Sequence, residues 1–342
     1  MAITDSFVRL AGHFASPGGP NGRLTILFYH RVLTEQDPLT PEILWSEPFE
    51  MQMAALSRTF NVLPLEDAVE RLMSGNLPNR AVSITFDDGY LDNLQVAIPV
   101  LKKYGLHATF FLTTGFLDGG LMYNDIVVES VRRLPGTTAD LRFVGLGEVS
   151  IDDLESRVQL IHRLTGALKY LTPVARASAS AQLSSLARGP LPDDLMMRSG
   201  DVRTLIQAGM SVGGHTVDHP ILARTAPEDA YAQIVANRET LADLIGSTPR
   251  IFAYPNGKPG TDYGAEHVSM VRGAGYRFAV STACGVATCQ NDIYQLPRIS
   301  PWDYKELPFI VHLLRLARMP ADASQFPQSS ASSQHGWATP NG

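Results

Sequence analysis

The chain has 342 residues, 44% hydrophobic and 18% charged, enough apolar content for one large barrel or two ordinary domains. A net charge of -6 and a pI near 5.8 argue against nucleic acid or an anionic membrane surface as the main partner. No apolar run approaches the roughly 20 residues needed to cross a bilayer.

Between Met1 and Leu24 no basic segment precedes an apolar core, and Arg9 and His13 interrupt the apolar stretch there. The expectation is therefore a cytoplasmic protein without a secretory signal or a transmembrane segment. Cys284 and Cys289 are too few for a disulfide scaffold and lack the second pair of a four-cysteine zinc site. They read as two thiols in a reducing compartment.

After an N-terminal arm (1–23), Gly/Pro-rich from Ser16 to Asn21, the run Leu24 to His30 predicts a strand buried on both faces. Ser46 and Pro48 signal a helix start, and Phe49, Met53 and Leu56 give it one apolar face. A helix from Leu65 to Ser74 leads to a second strand, Ala81 to Phe86, which runs into Asp87-Asp88-Gly89-Tyr90. Leu91 to Tyr104 is helical and stops at Gly105, and Ala108 to Thr113 is the third strand.

From about 116 to 197 the alternation breaks into helices near Ile126–Leu134, Asp152–Tyr170 and Ala179–Leu186, a helical insertion between strands three and four. Beyond it lie helix Asp201–Ala208, strand Met210–Gly213 and a long helix from Pro227 to Ile245, with Thr225 and Glu228 spaced as a capping box. Strand Arg250–Tyr254, helix Ala265–Arg272 and strands Phe278–Ser281 and Tyr294–Ile299 follow. The helix Lys305–Arg318 carries Arg315 and Arg318 beside an apolar face and reads as an outer helix rather than a membrane contact. The tail from Pro320 to Gly342 has the composition of a disordered segment. Seven short strands alternating with helices predict an α/β protein, either a parallel barrel or a doubly wound sheet.

The chemistry gathers at the C-terminal ends of these strands, the rim on which parallel barrels build active sites. His30 ends the first strand, Asp87 and Asp88 the second, and Tyr254 and Arg298 two later ones. His215 and His219 follow the strand that ends in Gly213-Gly214. Ending a buried strand on two carboxylates is costly unless the charges have a partner, and a bound cation or a proton-transfer role supplies one. Two imidazoles with a carboxylate suit Zn²⁺ or a similar divalent ion with open coordination positions.

Thr85-Phe86-Asp87-Asp88-Gly89-Tyr90 and His215-Thr216-Val217-Asp218-His219 resemble the first two signature motifs of the polysaccharide deacetylases, the NodB-homology or carbohydrate esterase 4 group. The resemblance runs from about Leu24 to Trp302 and implies a distorted (β/α)7 barrel over 24–319 with the helical insertion inside it. It also implies metal-dependent removal of acetyl groups from N-acetylated saccharides, of the kind found in exopolysaccharide biosynthesis. Carried over by position, Asp87 is the general base, and Asp88, His215 and His219 hold the metal, with Zn²⁺ first and Co²⁺, Ni²⁺ or Fe²⁺ as alternatives. The Tyr90 backbone N–H helps to stabilise the oxyanion.

Two departures matter. The family's third motif commonly supplies an arginine where this chain has Ala253, in Phe252-Ala253-Tyr254-Pro255-Asn256-Gly257, and Arg298 is the candidate replacement. The usual late histidine is missing, while Leu27-Phe28-Tyr29-His30 resembles the N-terminal histidine motif of the circularly permuted branch that includes the poly-N-acetylglucosamine deacetylases. By that match His30 is the general acid. Tyr254, Asn256 and Trp302 are candidates to line the sugar site, with a core position as the alternative for Trp302. An allantoinase-like hydrolase of cyclic amides or ureides, and a non-catalytic saccharide-binding barrel, are the competing functions. Oligomeric state is not legible.

Overall fold

A computed structural model describes residues 15–318. The tail expected to be disordered and the first 14 residues of the arm lie outside the described residues. The strands are β1 (Leu24–Tyr29), β2 (Asn61–Val62), β3 (Ala81–Phe86), β4 (Ala108–Leu112), β5 (Thr138–Asp140), β6 (Glu148–Ser150), β7 (Ser211–Gly214), β8 (Ile251–Ala253), β9 (Phe278–Cys284) and β10 (Leu296–Arg298). The helices are α1 (Ser46–Thr59), α2 (Leu65–Met73), α3 (Ile98–Lys103), α4 (Tyr123–Arg133), α5 (Leu154–Lys169), α6 (Pro173–Ser185), α7 (Ser199–Gln207), α8 (Pro227–Ile245), α9 (Ala265–Gly273) and α10 (Glu306–Leu316).

Seven parallel strands run in the order β1-β3-β4-β7-β8-β9-β10. A parallel bridge between Leu27 and Ile299, with Phe28 N–H donating to Ile299 O at 3.0 Å, brings the last strand back to the first. The sheet is thus nearly closed into a barrel, which removes most of the exposed edge. β1 pairs with β3 along all six residues, while β3's other edge is taken by β2 at Ala81 and Val82 and by β4 from Ile84 onward.

Two-residue alternation decides which side chains point where. On β3, Val82, Ile84 and Phe86 join the core cluster that contains Phe49, Met53 and Leu56 of α1. Phe86 stacks on Phe110 at 4.8 Å and on Tyr29 at 5.3 Å there. The opposite row is Ser83, Thr85 and then Asp87, all buried, so β3 presents a polar line that ends at the rim. The helix after Gly89-Tyr90 has a π segment, Asn93–Ala97, before α3. Pro99, at the second position of α3, has no N–H to give an α-type ladder.

The segment between β4 and β7 is not purely helical. β5 and β6 form an antiparallel pair closed by Leu141 N–H donating to Gly147 O at 2.7 Å, with Gly145 and Gly147 at φ 77° and 70° in the turn. Each strand has only three residues, too short for its alternation to stand out. The segment has an apolar cluster of its own, including Val127, Val131, Leu141, Leu160, Leu164 and Leu183.

The capping box expected at Thr225 and Glu228 does not form. Ala226 holds the N-cap position of α8, and Thr225 Oγ1 instead donates back to Ile221 O at 3.1 Å, closing the preceding turn. Cys284 and Cys289 are exposed free thiols. No helix among the described residues is long and apolar enough to cross a membrane.

Candidate active site

Asp87 and Asp88 leave β3 in opposite directions because the backbone turns between them. Asp88 takes a left-handed conformation (φ 78°) and Gly89 follows at φ 96°, a region that disfavours side chains other than those of Gly, Asn and Asp. The turn is tied down by Asp87 N–H donating to Tyr29 O at 2.9 Å and by the Thr113 hydroxyl donating to Asp88 O at 2.6 Å.

Asp87 points into the barrel, 2% exposed, and meets Arg298 of β10 in a two-pronged pair with both N···O distances 2.7 Å. Arg298 is itself 1% exposed. Its Nε donates to Ser281 O at 3.0 Å, one terminal nitrogen also reaches Thr85 Oγ1 at 3.2 Å, and the guanidinium lies 4.7 Å over the Phe28 ring. A planar fork suits this task, since it meets both carboxylate oxygens and keeps donors for the neighbours. Burial pushes the Asp87 carboxyl up, but Arg298 and then His215 outweigh it and hold it below the usual carboxylate range. Asp87 is ionised and fixed in direction.

Asp88 is 4% exposed, and its Oδ1 has no hydrogen-bond partner. That oxygen lies 3.4 Å from His215 Nε2 and 3.5 Å from His219 Nε2, and one donor atom from each of the three residues falls within 4.8 Å of the others. Ligands about 2.0–2.2 Å from a tetrahedral ion stand about 3.3–3.6 Å apart, so an orphaned carboxylate oxygen at these separations fits a shared divalent cation. His215 Nδ1 is held by Ala253 O at 2.7 Å, which directs Nε2 toward Asp88. Burial pushes His219 down to about 3, so its imidazole is neutral, as a ligand must be.

The histidine loop is shaped by residues that motif reading did not single out. Gly214 must be glycine: a Cβ there would come within 2.0 Å of the Tyr276 hydroxyl. Asn237 of α8, fully buried, accepts from His215 N–H at 3.0 Å and donates to Thr216 O at 2.6 Å and Leu112 O at 2.9 Å. One turn earlier, Gln233 accepts from the N–H groups of Val217 and Asp218 and donates to Asp218. Two amides four residues apart on a helix, facing backbone at a strand end, are the signal that was available for them.

His30 is exposed and lines a cavity of about 450 Å³ together with Asp88, Tyr90 and Asp125. Its backbone is anchored from the helix after β3, where Asn93 donates to His30 O at 2.7 Å and Asp92 accepts from Val32 N–H at 3.1 Å. In the turn, Gly89 N–H is spent on Asp87 O and Leu91 N–H on Leu195 O. The Tyr90 N–H between them has no partner among the described residues. The Tyr90 ring is buried, and its hydroxyl bonds Asp125 at 3.1 Å and accepts from Asn124 at 3.2 Å.

The three residues proposed for the sugar do not join this group. Tyr254 is 1% exposed and stacks on Tyr263 at 3.8 Å within the aromatic core under α8 and α9, so its ring is core rather than sugar platform. Asn256 sits at φ 58° in the turn after β8, where its carbonyl accepts from Thr282, and lines neither cavity beside the histidines. Trp302 is 58% exposed and packs edge-on against His312 at 4.4 Å, outside both cavities. The cavity wall is supplied instead by the segment between β4 and β7, through Asn124, Asp125 and Glu129.

Burial pushes Asp125 up to about 7, against the pull of Arg31. A carboxyl whose folded pKa is raised favours folding below its unfolded value of 3.8, and that contribution is lost as pH rises toward 7. Asp125→Asn keeps an acceptor for Tyr90 and is expected to gain about 1–3 kcal/mol of stability at pH 8 and almost nothing at pH 4. Denaturant unfolding at the two pH values measures it; equal effects at both would remove the burial argument.

The family model described as polysaccharide deacetylase matches residues 74–135 and 180–279, stretches that contain the Asp-Asp-Gly turn and the histidine loop. Over these stretches the chain matches the polysaccharide deacetylase family. The matched family is one of hydrolases acting on carbon–nitrogen bonds other than peptide bonds. YxkH of Bacillus subtilis (strain 168), classed among the polysaccharide deacetylases, is 24% identical over 279 residues, 81% of this chain and 71% of YxkH. In fold, the chain resembles the Streptococcus pyogenes deacetylase PplD, solved in complex with acetate, with TM-score 0.58 and 20% identity over 87% of this chain and 99% of PplD. IcaB from Ammonifex degensii aligns with TM-score 0.55 and 18% identity over 88% of this chain and 99% of IcaB. The family-model match breaks between 135 and 180, inside the segment between β4 and β7.

Proposed function

We propose that the protein removes acyl groups such as acetyl from the nitrogen of acylated saccharides by hydrolysis, with a divalent metal, most simply Zn²⁺, as its cofactor. The observation that carries this reading is the pairing of an orphaned Asp88 oxygen, 3.4–3.5 Å from two imidazole nitrogens, with an ionised Asp87 clamped by Arg298 beside it. A cation held by Asp88, His215 and His219 supplies Lewis acidity toward the acyl carbonyl and toward water. Asp87 takes a proton from the attacking water, and Arg298 keeps its carboxylate aimed and free of other work. The Tyr90 N–H meets the developing oxyanion. His30 gives a proton to the departing nitrogen, which is otherwise a very poor leaving group. A cyclic-amide hydrolase would use the same centre, so the substrate must be tested directly.

The test is acetate release from N-acetylglucosamine oligomers by the metal-loaded protein, with allantoin as the rival substrate. Chelation is expected to abolish release and Zn²⁺ to restore it. His30→Ala should lower kcat by about 10²-fold or more while bound metal stays stoichiometric. Turnover of allantoin alone, or full activity in His30→Ala, would sink the respective assignment.

A further inference from the structure

A second cavity opens on the other side of the histidines. It has a volume of about 730 Å³, and its lining includes Phe116, Leu121, Met122, Ile126, Ala177 and His219. Asp88 lines the first cavity and His219 the second, and their facing atoms are 3.5 Å apart, so the two spaces meet at the centre. Met122 of the second cavity touches Tyr90 of the first, sulfur to hydroxyl at 3.8 Å.

An amide has two substituents on opposite sides of its carbonyl carbon. With His30 as the acid, the leaving nitrogen and its saccharide occupy the first cavity, where Arg31, Asp125 and Glu129 offer partners for hydroxyl groups. The acyl substituent must then run the other way, past His219. A methyl group needs almost none of the space found there; the volume is that of sites which take a whole small ligand, and its lining is more apolar than polar, with Arg176, Asp193 and Asp218 as its charged members.

We propose that the enzyme hydrolyses N-acyl saccharides whose acyl chain is longer than acetyl, the chain lying between α4, α6 and the His219 loop. This deepens the proposed function and rests on its placing of His30 as acid. The chemistry balances as plain hydrolysis: the water oxygen bonds to the carbonyl carbon, the C–N bond breaks, the nitrogen leaves with a proton as an amine, and the acyl group leaves as a carboxylic acid.

The experiment uses the full chain, loaded with metal, on glucosamine oligosaccharides carrying acetyl, butanoyl or octanoyl groups on nitrogen. kcat/KM is expected to rise by about 4-fold for each methylene buried, until the cavity is filled. Ala177→Trp, which fills the cavity from an exposed position on α6, should lower the octanoyl-to-acetyl ratio at least 10-fold (an order-of-magnitude expectation). Ala181→Trp, one turn on, is the second variant should the first not fold. Fastest release of acetate with longer chains rejected would overturn the inference and leave the deacetylase reading standing. So would dependence on a lipid at the reducing end with none on acyl length. Release from no member of the series would overturn both readings.

Discussion

Asp87→Asn is expected to lower kcat by about 10³-fold while the protein keeps its metal. Asn is the same size and still offers Arg298 one oxygen, so the arginine stays in place. What is lost is a group that can take a proton. Because Asp87 is not among the three residues whose donor atoms converge, metal content should be unchanged, whereas His215→Ala should lose it. Metal analysis alongside turnover separates the two roles. Near-normal turnover in Asp87→Asn would show that another group is the base.

The largest effect on stability is expected at Arg298. Arg298→Ala leaves the Asp87 carboxylate buried without a cation, which by comparison with other broken buried pairs costs about 3–5 kcal/mol. It also frees the Ser281 carbonyl and the Thr85 hydroxyl that Arg298 engages. Arg298→Lys restores the charge but not the fork, and should recover part of that loss. The pH dependence follows from the direction of the Asp87 shift. Its carboxyl is held below the ordinary range in the folded protein, so its contribution to stability is present above the unfolded value and lost as pH falls through the folded one. Without Arg298 the carboxyl titrates higher, and the acidic limb of kcat/KM should move to higher pH. Denaturant unfolding and a pH–rate profile of both variants check this; an Arg298→Ala protein as stable as the parent would refute the pairing as a structural element.

The parts of the centre that lie at strand ends were legible because strand ends have strong local signals. A β-branched run closing on Asp-Asp-Gly, and a Gly-Gly pair before two histidines, place Asp87, Asp88, His215 and His219 on one rim without any knowledge of distances. Arg298 was reachable only as the answer to a missing arginine at Ala253, and β10 brings it to Asp87 from 211 residues away. Tyr254 was misread because a strand buried on both faces gives no hint of which side its last residue joins; the ring goes to Tyr263 and Phe252. Asp125, Gln233 and Asn237 were harder to assign for a different reason. Each acts on a turn distant in sequence, and even the four-residue spacing of Gln233 and Asn237 does not say which turn they will meet.

The join between β10 and β1 has a consequence for how the protein comes into being. At ribosomal speeds of about 5–20 residues per second, the stretch between Asp87 and Arg298 takes about 10–40 s to make. Throughout that interval the nascent chain holds a carboxylate destined for a dry interior but not yet its counter-charge. Early burial of the β3 end would be penalised, so the amino-terminal half should stay open, and a target for chaperones, until the final strand emerges. On this expectation the Asp87–Arg298 pair acts as a latch that lets the barrel close only once β10 has been made.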